Sequence, residues 1–245
     1  MLCKNRILVI GDIHGAYLAL KEILRKCDLK TDDLLIFLGD YVDGWSESPK
    51  VLDFLIELNQ THQCLFLQGN HDELLLKWFL TKENNPLWLK HGGQSTIDAY
   101  EKTDLPTQLK HIDFLKKLTP YYVDNSNRLF VHAGFTNPNG IEHEYFPKMF
   151  HWDRTLWETA LALNENLTTN DILYPKRFKL FEEIFIGHTP VTRINQTIPI
   201  NKANIWNVDT GAAFWGPLTI MDVDTKEFWQ SQPVCELYPE ESGRN

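Results

Sequence analysis

Short apolar runs alternate with amphipathic stretches through the first third of the chain. RILVI (6–10), LLIFL (34–38) and CLFL (64–67) each read as a strand: brief, rich in branched or aromatic residues, and bounded by polar residues or glycine. Between them, Leu20, Ile23, Leu24 and Cys27 recur at helical spacing, and Val51, Phe54, Leu55 and Leu58 do the same. Ser48-Pro49 reads as the cap and first-turn proline of the second helix, and DELLLKWFL (72–80) begins a third. Strand–helix–strand at this pitch predicts right-handed crossovers and adjacent parallel strands.

The pattern then loosens. Residues 81–119 are helical but irregular, with a break at His91-Gly92-Gly93. YYVDNSNRLFVHAG (121–134) predicts two strands around an Asp-Asn-Ser-Asn turn, which introduces antiparallel pairing. Residues 135–180 are mixed, polar and aromatic. EIFIGHTP (183–190) is a further strand and loop, and residues 204–230 read as strands around a glycine-rich turn and a short hairpin. There is no internal repeat, linker or low-complexity segment. The expectation is one α/β domain of mixed sheets over 1–235, followed by a polar tail at 236–245.

Composition narrows the function classes. The 245-residue chain carries a formal net charge of −9, which argues against a nucleic-acid duplex as partner. A bound metal can still reverse the sign locally. The opening MLCKNRILVIGD breaks into Gly-Asp too early for a signal peptide, and no stretch has the length of a membrane span. A soluble cytoplasmic protein with no membrane partner is expected. Cys3, Cys27, Cys64 and Cys235 form no close pair, so they read as reduced core thiols.

The informative residues are those that follow each strand. Gly11-Asp12-Ile13-His14-Gly15, Gly39-Asp40-Tyr41-Val42-Asp43-Gly44 and Gly69-Asn70-His71-Asp72 succeed one another at about the 30-residue pitch of a strand–helix unit. That places Asp12, Asp40 and Asn70 at the carboxyl ends of neighbouring strands, the edge where open α/β sheets hold ligands. Later strands end in His132-Ala133-Gly134, Gly187-His188-Thr189 and Asp209-Thr210-Gly211. One Gly-Asp after a strand is ordinarily a turn, and a lone histidine is ordinarily structural. The five strand ends at Asp12, Asp40, Asn70, His132 and His188 are not explained that way. Asp12, His14, Asp40, Asn70, His132 and His188 form an oxygen-and-imidazole set without thiolate, suited to manganese, iron or zinc. Six donors exceed one catalytic zinc and fit two metals that share a bridging carboxylate, for which Asp40 on the middle strand is the natural choice. A dinucleotide-binding turn is a poor fit, since GDIHG is not GxGxxG and Asp12 would repel a pyrophosphate.

In this order, GDIHG, GDYVDG, GNHD, HAG and GHT resemble the calcineurin-like metallophosphoesterases. More narrowly they resemble the phosphoprotein phosphatase branch, in the form of the bacterial and bacteriophage-lambda serine/threonine protein phosphatases and diadenosine tetraphosphatases. The resemblance spans about residues 6–225 and implies a two-layer mixed β sandwich flanked by helices. It implies that Asp12, His14 and Asp40 hold one metal, and that Asp40, Asn70, His132 and His188 hold the other. It also makes His71 the general acid, oriented by Asp43, and places Arg154 of His151-Trp152-Asp153-Arg154 on the phosphate. Two divalent ions about 4 Å apart would activate a water between them for in-line attack on phosphorus. The implied substrate is a phosphorylated protein or small molecule, and manganese is the leading metal. Asp72 reads as a helix-start carboxylate and Asp209 as a turn residue or supporting group.

Two departures stand out. The branch has Arg-Gly where this chain has Gly44-Trp45, and Arg where it has Gln68. Arg154 is the remaining expected arginine, with Lys50, Lys90 and His91 as possible stand-ins. These losses, with Trp45, Trp152 and Trp215 available to stack a base, keep open the hydrolysis of a nucleotide anhydride or diester such as a dinucleoside polyphosphate. A metal-binding scaffold without catalysis is the third reading.

Overall fold

The computed structural model describes residues 5–244. Among these residues ten strands form two five-stranded sheets. The first has the order β10-β9-β1-β2-β3, from β1 (Ile7–Ile10), β2 (Leu34–Phe37), β3 (Gln63–Phe66), β9 (Pro217–Asp222) and β10 (Phe228–Pro233). The second has the order β4-β5-β6-β8-β7, from β4 (Tyr121–Val123), β5 (Arg128–Val131), β6 (Glu183–Ile186), β7 (Ile200–Lys202) and β8 (Ile205–Asn207). β1, β2 and β3 are parallel neighbours, while β9 and β10 pair antiparallel at the other edge. In the second sheet β5, β6 and β8 run parallel, and the hairpin strands β4 and β7 close its edges.

Alternation along the strands builds the layers. Leu8 and Ile10 of β1 and Leu35 and Phe37 of β2 join the helix-side core, whereas Val9 and Ile36 join a separate cluster with Phe130, Phe185 and Met221. In the second sheet Leu129, Val131, Ile184 and Ile186 face outward onto Leu156 and Trp157, while Phe130 and Phe185 face inward. Period-two alternation therefore buries both faces of both sheets. Phe130 and Phe185 are register partners, stacked at 5.0 Å with 11° between their planes.

The helices α1 (Tyr17–Lys26), α2 (Ser48–Leu58) and α3 (Asn70–Thr81) cover the first sheet. Two local expectations need correction. Ser48 does not cap α2: Glu47 holds the cap position without a side-chain bond. The buried Ser48 hydroxyl is instead 3.0 Å from Thr96 Oγ1 and accepts the Asp43 N–H (3.2 Å). α3 begins at Asn70, two residues before the expected start, so Asn70 and His71 lie in its first turn. The cysteines also differ from four core thiols: Cys27 is buried, Cys64 and Cys235 are half-buried, and Cys3 lies outside the described residues. Burial pushes Cys27 up to about 11 and Cys64 up to about 12, so both stay protonated thiols at neutral pH.

Among the described residues no helix is long and apolar enough to cross a membrane. Residues 234–244 fold back onto the loop after β2. Tyr238 stacks on Trp45 (5.3 Å), its hydroxyl accepts the Leu18 N–H (3.0 Å), and Glu241 accepts the Ser46 N–H and hydroxyl (2.9 and 2.6 Å).

The stacked Phe130–Phe185 pair should dominate cohesion between the sheets. Phe185→Ala should cost about 3–5 kcal/mol in urea unfolding, whereas Leu173→Ala, at a 76 % exposed position, should change stability by under about 0.5 kcal/mol. Equal effects would contradict this packing.

Candidate active site

The loops after β1, β2, β3, β5 and β6 meet at one rim, and Asp40 joins them. Its carbonyl accepts the N–H groups of Ile13 (3.0 Å) and His14 (2.9 Å) from the β1 loop. Its Oδ1 accepts the His71 N–H (2.9 Å) in the first turn of α3. Gly69 permits this approach, since a Cβ there would lie 2.1 Å from Asp40 Oδ1. Asp72 fastens the same loop from below: its Oδ2 accepts the N–H groups of Asp40 and Gly69 (both 2.8 Å) and its Oδ1 that of Tyr41 (3.0 Å). His14, Asp40, Asp43 and His188 all take positive φ, between 51° and 73°. Such backbone strain persists only where surrounding contacts enforce it.

The donors converge on Asp40. His14 Nε2 and His132 Nε2 each stand 3.5 Å from Asp40 Oδ2, and His14 Nε2 is 3.9 Å from Asp12 Oδ2. Nδ1 of His14 faces the Val42 carbonyl (3.1 Å) and Nδ1 of His132 faces that of Leu38 (2.9 Å). That pattern assigns the protons to Nδ1 and leaves both Nε2 lone pairs inward, as in metal-ligating imidazoles. Asn70 Oδ1 lies 2.9 Å from His188 Nδ1 and 3.2 Å from His132 Nε2. Asp12 links the sheets, because its Oδ2 accepts the His188 N–H (3.0 Å). Its Oδ1 is buried with no hydrogen-bond partner, and a Cβ at Gly187 would lie 2.1 Å from that atom.

Two groups of buried side chains, His14–Asp40–His71 and Asp40–His132–His188, each bring their donor atoms within 4.8 Å of one another and share Asp40. Carboxylate oxygens and imidazole lone pairs therefore face each other, an arrangement a cation satisfies and hydrogen bonds do not. The residues present fit a metal centre.

The electrostatics agree. Burial alone would raise the Asp40 carboxyl, but His132, His71, His14 and His188 around it hold it well below the usual carboxylate range. Burial, with Asp209 and Asp40 nearby, pushes Asp12 well above that range. Burial also raises Asp209 to about 7, against the Gly211 N–H that it accepts (3.0 Å). His132 is lowered to about 4 by burial, and His14 and His188 are lowered for the same first reason. Neutral imidazoles at physiological pH are ready to ligate.

His71 stands beside this cluster, its ring edge-on to His14 at 5.0 Å. Its Nδ1 lies 2.6 Å from Asp43 Oδ2. The same oxygen accepts the indole N–H of Trp88 (2.5 Å), and the Asp43 N–H donates to Thr96 Oγ1 (3.0 Å). Gly93 gives Trp88 its place, because a Cβ there would be 2.5 Å from the indole. Trp88 and Thr96 are thus supports that sequence reasoning missed, from a helical region whose pattern carries no chemical signal, and Ser48, read from sequence as a cap, is a third. Arg154 is half-buried and donates to Thr189 Oγ1 (3.4 Å), beside His188. Asp153 fixes its position by accepting the first N–H groups of the helix Thr155–Ala162 (2.9 and 3.0 Å).

Other suggested residues fall elsewhere. Trp45 is fully buried and donates to the Ala212 carbonyl (2.7 Å), so it stacks no base. Lys50 is paired with Glu47 at 2.6 Å on the outer surface. A groove lined by Lys50, Gln94 and Tyr238 among others includes none of the clustered donors.

A two-sheet sandwich with a shared carboxylate among imidazoles defines a class, that of the dinuclear metallohydrolases. The Calcineurin-like phosphoesterase family model matches residues 5–215, and the chain belongs to that family of metal-dependent hydrolases. It is 27% identical over 221 residues to Serine/threonine-protein phosphatase 1 of Salmonella typhimurium, covering 88% of this chain and 91% of that protein. It is also 27% identical over 237 residues to the Bis(5'-nucleosyl)-tetraphosphatase PrpE [asymmetrical] of a Geobacillus species, covering 87% and 89%. A protein serine/threonine phosphatase structure from Saccharomyces cerevisiae shares the fold with a TM-score of 0.63 at 12% identity, over 93% of this chain and 80% of that one.

Metal binding should depend on pH with a definite sign. The raised carboxyl of Asp209 stabilises the metal-free fold while protonated, a contribution present below the ordinary carboxylate range and lost as pH rises through about 7; Asp12, also pushed up by burial, acts in the same direction. Cations relieve the resulting repulsion and compete with protons for the donors. The rise in Tm on saturation with Mn should therefore be larger at pH 8 than at pH 5.5 in differential scanning calorimetry; a larger rise at pH 5.5 would contradict this electrostatic picture.

Proposed function

We propose that this chain hydrolyses phosphomonoesters with two divalent ions, in the manner of a serine/threonine protein phosphatase. The observation that carries the reading is the convergence of buried carboxylate, amide and imidazole donors on Asp40. Asp12, His14 and Asp40 would hold one ion, and Asp40, Asn70, His132 and His188 the other. An all nitrogen-and-oxygen donor set favours manganese, with iron or zinc as alternatives. Bound there, the ions supply positive charge to the phosphoryl oxygens and an activated water.

The chain's own residues supply the rest. His71 delivers a proton to the leaving oxygen. Asp43 accepts from its Nδ1, which fixes the ring and leaves Nε2 as the atom that carries the proton outward. Trp88 holds Asp43 in turn, so the donor is aimed before substrate arrives. Arg154 offers a planar fork to the phosphate oxygens next to His188.

A second reading, hydrolysis of a dinucleoside polyphosphate, is supported by the likeness to the PrpE proteins. Trp152 and Trp215, 39 % and 48 % exposed, are aromatic faces open to a base. Purified protein with Mn should hydrolyse an aryl phosphate, and His71→Ala should lower kcat by about 10²-fold or more. No turnover of aryl phosphate, phosphopeptide or dinucleoside tetraphosphate with Mn, Fe, Zn or Mg would overturn the proposal. A dinucleotide preferred over every monoester would transfer it to the second reading.

A further inference from the structure

Residues 234–244 bring an arginine to the metal cradle. Arg244 is tied through its N–H to the Ala213 carbonyl (2.9 Å), and Gly243 packs so closely on Trp45 that a Cβ would lie 2.7 Å from the indole. From there the Arg244 stem threads a slot between two glycines. A Cβ at Gly44 would lie 3.2 Å from Arg244 Cγ, and one at Gly92 only 3.0 Å from it. Both glycines take φ of +103°, and the Gly44 N–H donates to the Gly92 carbonyl (3.1 Å), so the slot is held open by backbone. Gly44 is the position where the sequence departs from the arginine expected of its relatives. The side chain missing there is the one whose space the Arg244 stem uses.

At the end of the slot the guanidinium lies over the Phe214 ring (5.4 Å), with Nη1 3.3 Å from His14 Nε2. Its Nε is buried without a hydrogen-bond partner, and no carboxylate pairs with the group among the described residues. Asp12 and Asp209 feel its charge but stand beyond pairing distance, so a guanidinium with an unsatisfied buried N–H at this rim can take a further anion. Arg154 stands within electrostatic range of it, half-buried, with its guanidinium donating to the Thr189 hydroxyl.

We propose that Arg244 is a substrate-binding residue, a phosphate-gripping guanidinium delivered by the folded-back segment through the Gly44–Gly92 slot, within electrostatic range of Arg154. The assignment rests on the phosphoesterase reading above, but binding of inorganic phosphate tests it without turnover. The segment's anchors, Tyr238 on Trp45 and Glu241 on Ser46, hold the arginine in place before substrate binds.

The test uses the Mn-loaded full chain, with orthophosphate as probe in isothermal titration calorimetry, a separate Mn titration, and aryl phosphate kinetics where turnover occurs. Arg244→Ala should weaken orthophosphate binding about tenfold and raise KM similarly, with no loss of Mn affinity. Arg244→Lys should recover part of the loss. Glu241→Gln, which keeps the arginine but loosens its anchor, should fall between wild type and Arg244→Ala. Unchanged phosphate affinity in Arg244→Ala would overturn the proposal. So would tighter Mn binding with higher kcat, which would make the guanidinium a plug over the metal cradle. A chain without turnover whose phosphate affinity still falls in Arg244→Ala would uphold this assignment and refute only the catalytic one.

Discussion

Asp40 holds three loops and two sheets to one geometry. Its carbonyl fastens the β1 loop, its Oδ1 fastens the first turn of α3, and its Oδ2 faces an imidazole from each sheet. A buried carboxylate at this position is tolerable only because positive or polarisable groups surround it. The close approach of Gly69, the left-handed backbone at Asp40 and the three N–H groups collected by Asp72 are consequences of placing that one carboxylate where it is.

The sandwich supplies rigidity for this strained rim. Inward-facing Val9, Ile36, Phe130, Phe185 and Met221 lock the sheets together just below the loops. Bonds then cross from one sheet to the other: the His132 imidazole reaches the Leu38 carbonyl, and the His188 N–H reaches Asp12. The proposed metal ligands, drawn from both sheets, are thereby fixed relative to one another before any ion binds, which is what a preorganised centre requires.

Much of this was legible in the sequence because the signals are local. Strand periodicity and the glycine-acid endings place Asp12, Asp40, Asn70, His132 and His188 at one rim, since each strand end is set by its own few residues. The supports of His71 were not legible beyond Asp43. Trp88 and Thr96 reach Asp43 from a kinked helical stretch, and no periodicity encodes a contact between residues 45 and 53 positions apart. Ser48 looked like a cap because local chemistry favours that role; a tertiary partner, Thr96, took its hydroxyl instead. Trp45 was a candidate to stack a base and is core, for the similar reason that Tyr238 and Ala212 arrive from far along the chain. Arg244 lay in a stretch read as a polar tail, and what brings it to the site is the packing of Tyr238, Glu241 and Gly243, which no short motif announces.

The central claim is that one carboxylate serves two metal sites, and metal stoichiometry tests it most directly. After loading with Mn and removal of free ion, plasma mass spectrometry should find about two equivalents per wild-type chain. Asp40→Asn, folded by circular dichroism, should retain almost none. An Asp40→Asn protein that keeps one full, tightly held equivalent would show that the two sites are built independently and would contradict the account.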